Sequence, residues 1–121
     1  MSDAFQDREK SFEAKYKLDQ ELDFKATARR DKLIGFWAAV KMGMSENEAR
    51  VYAMEIVKLE IDEPGSQAVV EKIVADFATR GVKIKEKKLR AEMDRFYAIA
   101  MAQFVTDFPE ALGDDHEKVG D

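Results

Sequence analysis

Apolar residues recur along this chain at helical spacing, in four stripes of the i, i+3, i+4, i+7 kind separated by short polar punctuation. The first stripe is Leu18, Leu22, Ala26, Leu33, Phe36, Trp37 and Val40. The second is Ala49, Tyr52, Ala53 and Ile56, and the third Val69, Val70, Ile73, Val74 and Phe77. The fourth runs through Leu89, Met93, Phe96, Tyr97, Ala100, Phe104 and Phe108. The punctuation has its own chemistry. Gly43 suits the left-handed residue that ends a helix near Met42, and Ser45 with Glu48 forms a capping box for the next. "DEPGS" at 62–66 stops the second helix at Pro64-Gly65 and offers Ser66 as the next N-cap. Gly81 closes the third, "VKIK" links it to a fourth helix from about Lys85 to Phe108, and Pro109 stops that one. Such short links favour an all-α antiparallel four-helix bundle over residues 18–109.

The segment before residue 18 does not fit this frame. In "FQDREKSFEAKY", residues 5–16, Phe5, Phe12 and Tyr16 share one stripe, roughly 100° around the helix from the Leu18 stripe. Followed onward, their line meets Asp19, Gln20 and Asp23 and turns polar. Residues 1–17 therefore read as an arm outside the bundle. Alone it is a marginal helix, close to the ~12–15 residue lower limit. The Glu13–Lys17 pair supports it and the Glu9–Glu13 pair opposes it. The stripe can anchor an arm that folds on binding, staple back onto the bundle, or belong to a frayed end. The tail at 110–121, "EALGDDHEKVGD", lacks periodicity and reads as frayed and flexible.

Composition narrows the function classes. Charged residues make up 37% of the chain, with 2 Pro and 6 Gly, a balance that suits helices. The absence of cysteine excludes disulfides, thiolate nucleophiles and Cys-based metal sites, and suits a reducing compartment. The polar N-terminus and a longest apolar run of only "IGFWAAV" predict a cytoplasmic protein without membrane insertion. A net charge of −5 argues against non-specific nucleic-acid binding and leaves a protein or small molecule as partner. The complete bundle and acidic charge predict a monomer when free.

Candidate chemistry is sparse. The single histidine, His116, sits in the acidic tail, so acid–base and nucleophilic constellations built on histidine are missing and no enzyme is expected. "DDHE" at 114–117 is read as a solvated tail and not a metal site. No glycine-rich phosphate loop occurs. Two basic clusters remain. Lys83, Lys85, Lys87, Lys88 and Arg90 gather at the start of the last helix, where free amides favour an anion or a nucleotide bound weakly; the alternative is a solvated helix face. In the other, Arg29-Arg30-Lys32, Arg29 falls in line with the core stripe and calls for a carboxylate partner or a snorkelling path.

The first forty residues also carry a resemblance. The Asp7–Lys15 stretch "DREKSFEAK", the run "FKATARR" at 24–30, Lys32-Leu33, Gly35 and Trp37-Ala38-Ala39 resemble the N-terminal block of the ATP synthase inhibitor zeta subunits of alphaproteobacteria. Shorter echoes follow in Gly43, the Val69–Val70 helix and the last helix. This chain departs from that family's pattern at Gln6, at Lys17-Leu18, and at Asp31, where asparagine is common. The resemblance implies a four-helix regulatory protein, peripheral on the F-type ATP synthase, that blocks ATP hydrolysis in its catalytic sector of alpha, beta and gamma subunits. It further implies that a mobile N-terminal segment becomes helical as it wedges into a catalytic interface. Carried over by position, the inhibitory arm is Phe5, Asp7, Arg8, Glu9, Lys10, Phe12, Glu13, Lys15 and Tyr16. The alternatives of another class are a regulatory bundle that binds a nucleotide or other anion, and an adaptor whose arm fits some other protein groove.

Overall fold

The computed structural model describes the backbone of residues 2–107 and the side chains of residues 17–106. Among these residues there are four helices and no strand: α1 (Ser2–Lys41), α2 (Glu46–Asp62), α3 (Gln67–Arg80) and α4 (Glu86–Asp107). The all-α, four-helix reading holds. The tail at 110–121 with His116, together with Phe108 and Pro109, lies outside the described residues.

Local signals place the helix ends. Ser45 accepts from the Glu48 N–H while the Glu48 carboxylate accepts from the Ser45 N–H, at 3.2 and 2.8 Å, which completes the capping box. These bonds hold the Glu48 carboxyl below its ordinary range. After α3, Gly81 adopts φ +73° and the Val82 N–H reaches back to the Phe77 carbonyl. That is a Schellman ending. Ser66 departs from expectation. It precedes α3 but sits in the left-handed region at φ 71°, and its hydroxyl makes no capping bond. Its backbone N–H donates to Glu60 and its Oγ accepts from Arg30, so tertiary partners replace the cap.

α2 turns back along α1, where Gly35 meets Ala53 and Arg30 reaches Glu60. A Cβ on Gly35 would lie 2.7 Å from the Ala53 Cα, so the absence of a side chain sets how closely the helices cross. The main core joins Ile34, Ala38, Ala39 and Met42 of α1 to Tyr52 and Ile56 of α2, Val69, Val70, Ile73 and Phe77 of α3, and Leu89 and Met93 of α4. A second cluster packs Leu22 and Ala26 against Ala100 and Phe104. The stripes foreseen for α2, α3 and α4 are therefore largely the buried ones.

The α1 stripe needs correction. Leu33, Phe36 and Trp37 are only half-buried and Val40 is 69% exposed. The buried line passes through Leu22 and Ala26, then through Asp31, Ile34, Gly35, Ala38, Ala39 and Met42. Along the helix this face moves by roughly half a turn, because its lower part meets α4 and its upper part meets α2 and the main core. The seam is made of glycine and alanine, where backbones approach closely, while the larger side chains sit on its flank.

Candidate functional site

α1 is the unusual element. Its 40 residues span about 60 Å at 1.5 Å per residue, against about 25 Å for α2 and about 33 Å for α4. No other helix of the described chain can cover it end to end. The first of its described residues to be buried is Leu22, in the second cluster, and α4 is described as far as Asp107, three residues beyond Phe104. The backbone of residues 2–16 thus continues as helix from the packed part of α1. The side chains of Phe5, Asp7, Arg8, Glu9, Lys10, Phe12, Glu13, Lys15 and Tyr16, expected in the arm, lie outside the described ones.

Just inside the packed part, Phe24 is 53% exposed. With Thr27 and Ala28 it lines one side of a groove of about 450 Å³, faced by Val57, Ile61 and Pro64 of α2 and the following turn. Ile61 is itself 59% exposed. Sequence reasoning passed over Phe24 as a site, although an aromatic on the polar side of an otherwise regular stripe is a readable signal.

The basic residues at the start of α4 are partly brought together. Lys83, Lys85, Lys87 and Lys88 rim a shallow groove of about 910 Å³ whose floor includes Val74, Phe77 and Ile84. Arg90 does not join them, since its guanidinium is held by Glu86 at 2.9 Å and Gln67 at 2.8 Å. Lys88 pairs with Glu92, whose carboxyl is held below its ordinary range by Arg95 first and Lys88 after it.

The Arg29-Arg30-Lys32 cluster separates into three environments. Lys32 is exposed. Arg29 finds an aromatic face where a carboxylate was one expectation: its guanidinium lies 4.4 Å from the Phe104 ring centre and donates to Gln103. Arg30 carries the ion pair. Its Nε and Nη2 donate to Asp31 Oδ1 at 3.0 and 2.8 Å, and Nη2 also lies 3.1 Å from Glu60 Oε1 and 2.7 Å from Ser66 Oγ. Glu60 Oε2 accepts from the N–H groups of Gly65 and Ser66. Asp31 is fully buried, and its Oδ2 has no hydrogen-bond partner. Burial pushes its carboxyl up to about 7, against the opposing pull of Arg30. Asp31 was not singled out as a site residue. The signal available was its register, three before Ile34 and seven before Ala38 on the buried line.

Among the described residues no group of three or more His, Asp or Glu side chains is arranged to hold a metal ion. None of the helices is long and apolar enough, over those residues, to cross a membrane.

Comparison with known proteins agrees with this architecture. The family model described as ATPase inhibitor subunit zeta matches residues 1–103. A protein whose structure was solved in solution by NMR is 37% identical, with a TM-score of 0.62 over 72% of this chain and 99% of the other. A search among curated proteins finds no match. A family match over that length, on a helical frame whose first element carries the matching block, places the chain in the ATPase inhibitor subunit zeta family, whose members are regulatory proteins and not enzymes.

Proposed function

We propose that this chain inhibits ATP hydrolysis by the ATP synthase catalytic sector, its N-terminal helix acting as a wedge at a catalytic subunit interface. The observation that carries the reading is the length of α1: one helix serves as a bundle element from Leu22 onward and its backbone continues as helix for twenty residues before that point. Phe5, Phe12 and Tyr16 are the apolar anchors, with Arg8, Lys10 and Glu13 pairing around them. Phe24 and Ile61 offer a further exposed apolar surface on the bundle. The bundle holds the wedge at the enzyme surface, and bound helix stabilises one catalytic conformation so that rotation stalls.

The direct test is ATP hydrolysis by the purified catalytic sector of the same organism, with the full chain or a chain lacking residues 1–17. Inhibition by the full chain alone supports the wedge. Equal inhibition by both moves the activity to the bundle.

The lysine-rimmed groove favours a second, compatible reading, in which an anion with an apolar body, such as a nucleotide, sits against Lys83, Lys85, Lys87 and Lys88. ATP and inorganic phosphate titrated separately against backbone amide shifts distinguish it. Shifts localised at 74–91 with ATP alone support the groove, and no shifts there remove it.

A further inference from the structure

The cluster around Arg30 has one cation and two carboxylates. Arg30 of α1 is 12% exposed, Glu60 of α2 is 11% exposed and Asp31 is fully buried, so water screens none of the three well. Asp31 Oδ1 and Glu60 Oε1 both face the guanidinium, while Asp31 Oδ2 is enclosed without a donor. Charges from other elements do not offset the excess. The charged groups acting on the Asp31 carboxyl are Arg30 and Glu60. The turn and α3 contribute the neutral N–H of Gly65 and the N–H and hydroxyl of Ser66. From α4, Tyr97 is bonded to Asp23 and feels Arg30. With both carboxylates ionised, one negative charge remains uncompensated in a nearly dry site, which is a strongly unfavourable state. A single proton on Asp31 removes it.

We propose that Asp31 holds a proton in the folded chain, leaving Arg30 to Glu60, and that this cluster is a proton-binding joint tying α1 to the α2–α3 turn. Glu60 holds Arg30 through Oε1 and the N–H groups of Gly65 and Ser66 through Oε2, so the cluster links α1, α2 and the turn before α3. Ser66, held at both its N–H and its Oγ, sits there in a left-handed conformation that a residue with a side chain adopts only under tertiary constraint. Loss of the proton leaves two like charges around one arginine and loosens the joint. The inference stands whether or not residues 2–16 are the inhibitory element.

The direction with pH follows from linkage. Asp31 titrates near 7 in the folded chain and, once unfolded, at the ordinary carboxylate value of 3.8. The folded state thus holds the extra proton between those values. Stability from this group is fully present below the lower value and is lost as pH rises through the upper one, the folding constant falling about tenfold per pH unit within the window.

The test uses the full chain with ¹³C-labelled side-chain carboxyls, followed by NMR from pH 4 to 9. The expected result is an Asp31 carboxyl resonance with its midpoint near neutrality. A midpoint in the ordinary carboxylate range for Asp31 overturns the proposal, whatever the variants do. Thermal unfolding over the same pH range then compares the wild type with Asp31→Asn and Glu60→Gln. Asp31→Asn removes the titrating group and is expected to flatten the stability profile between pH 5 and 7 relative to wild type, whereas Glu60→Gln leaves the burial of Asp31 in place and is expected to keep most of the slope. Retention of the wild-type slope in Asp31→Asn also overturns the proposal.

Discussion

Arg30 shows how much one planar side chain can do that a simple positive charge cannot. Its fork serves Asp31, Glu60 and Ser66 at once, at distances of 2.7 to 3.1 Å, with 12% of its surface exposed. Lysine keeps the charge but offers a compact ammonium that cannot span the same acceptors. Arg30→Lys is expected to destabilise the fold by about 2–4 kcal/mol, since it leaves a buried carboxylate poorly paired. Urea unfolding at pH 7 measures this, and a change near zero shows that the fork geometry is unimportant. The exposed helical pairs provide the contrast. Arg50–Glu46 and Lys58–Asp62 lie in solvent at i, i+4 spacing, and removing either cation should leave the unfolding midpoint almost unmoved. Arg29 stands between these cases, because its contact with the Phe104 ring is apolar on one side and open at the Gln103 end.

At the level of the elements, the α1–α2 seam depends on the absence of a side chain. A methyl on Gly35 would meet Ala53 backbone at 2.7 Å and its Cβ at 3.2 Å, so one helix must shift. The helix-propensity gain of about 1 kcal/mol for alanine over glycine acts in the opposite direction. Overpacking against backbone outweighs it, and Gly35→Ala is expected to lower stability by about 1–3 kcal/mol with an unchanged denaturant slope. A more stable variant would mean that the crossing relaxes freely. The same seam explains what sequence reading could and could not find. Gly81 and the Ser45–Glu48 box were legible because a helix end is decided by its own neighbours. Ile34, Ala38 and Ala39 were passed over for Phe36, Trp37 and Val40 because large side chains dominate an apolar pattern, whereas a close crossing is built from small ones. Arg30 meets Glu60 and Ser66 thirty and thirty-six positions away, and its local sequence gives no hint of the partnership.

For the whole molecule, the proposed division of labour between wedge and scaffold predicts that inhibition and stability separate by position. Phe77 is 1% exposed, sits in the main core and touches the Trp37 ring, so Phe77→Ala removes a large side chain from a packed site. The expected cost is about 3–5 kcal/mol, and any loss of inhibition would track the loss of folded protein. Phe12 belongs, by sequence, to the stripe with Phe5 and Tyr16 in the segment of α1 that the proposal assigns to the wedge. Phe12→Ala is therefore expected to leave the melting temperature nearly unchanged and to weaken inhibition, because its ring is desolvated only against the enzyme. Melting curves and ATP hydrolysis titrations on the two variants decide the matter together. If Phe12→Ala lowers both quantities in proportion, as Phe77→Ala does, the arm is folded onto the bundle and the wedge reading fails. If it lowers inhibition alone, the ordering of the arm is coupled to binding, and the favourable contacts of Phe5, Phe12 and Tyr16 are what offset the entropy lost when it docks.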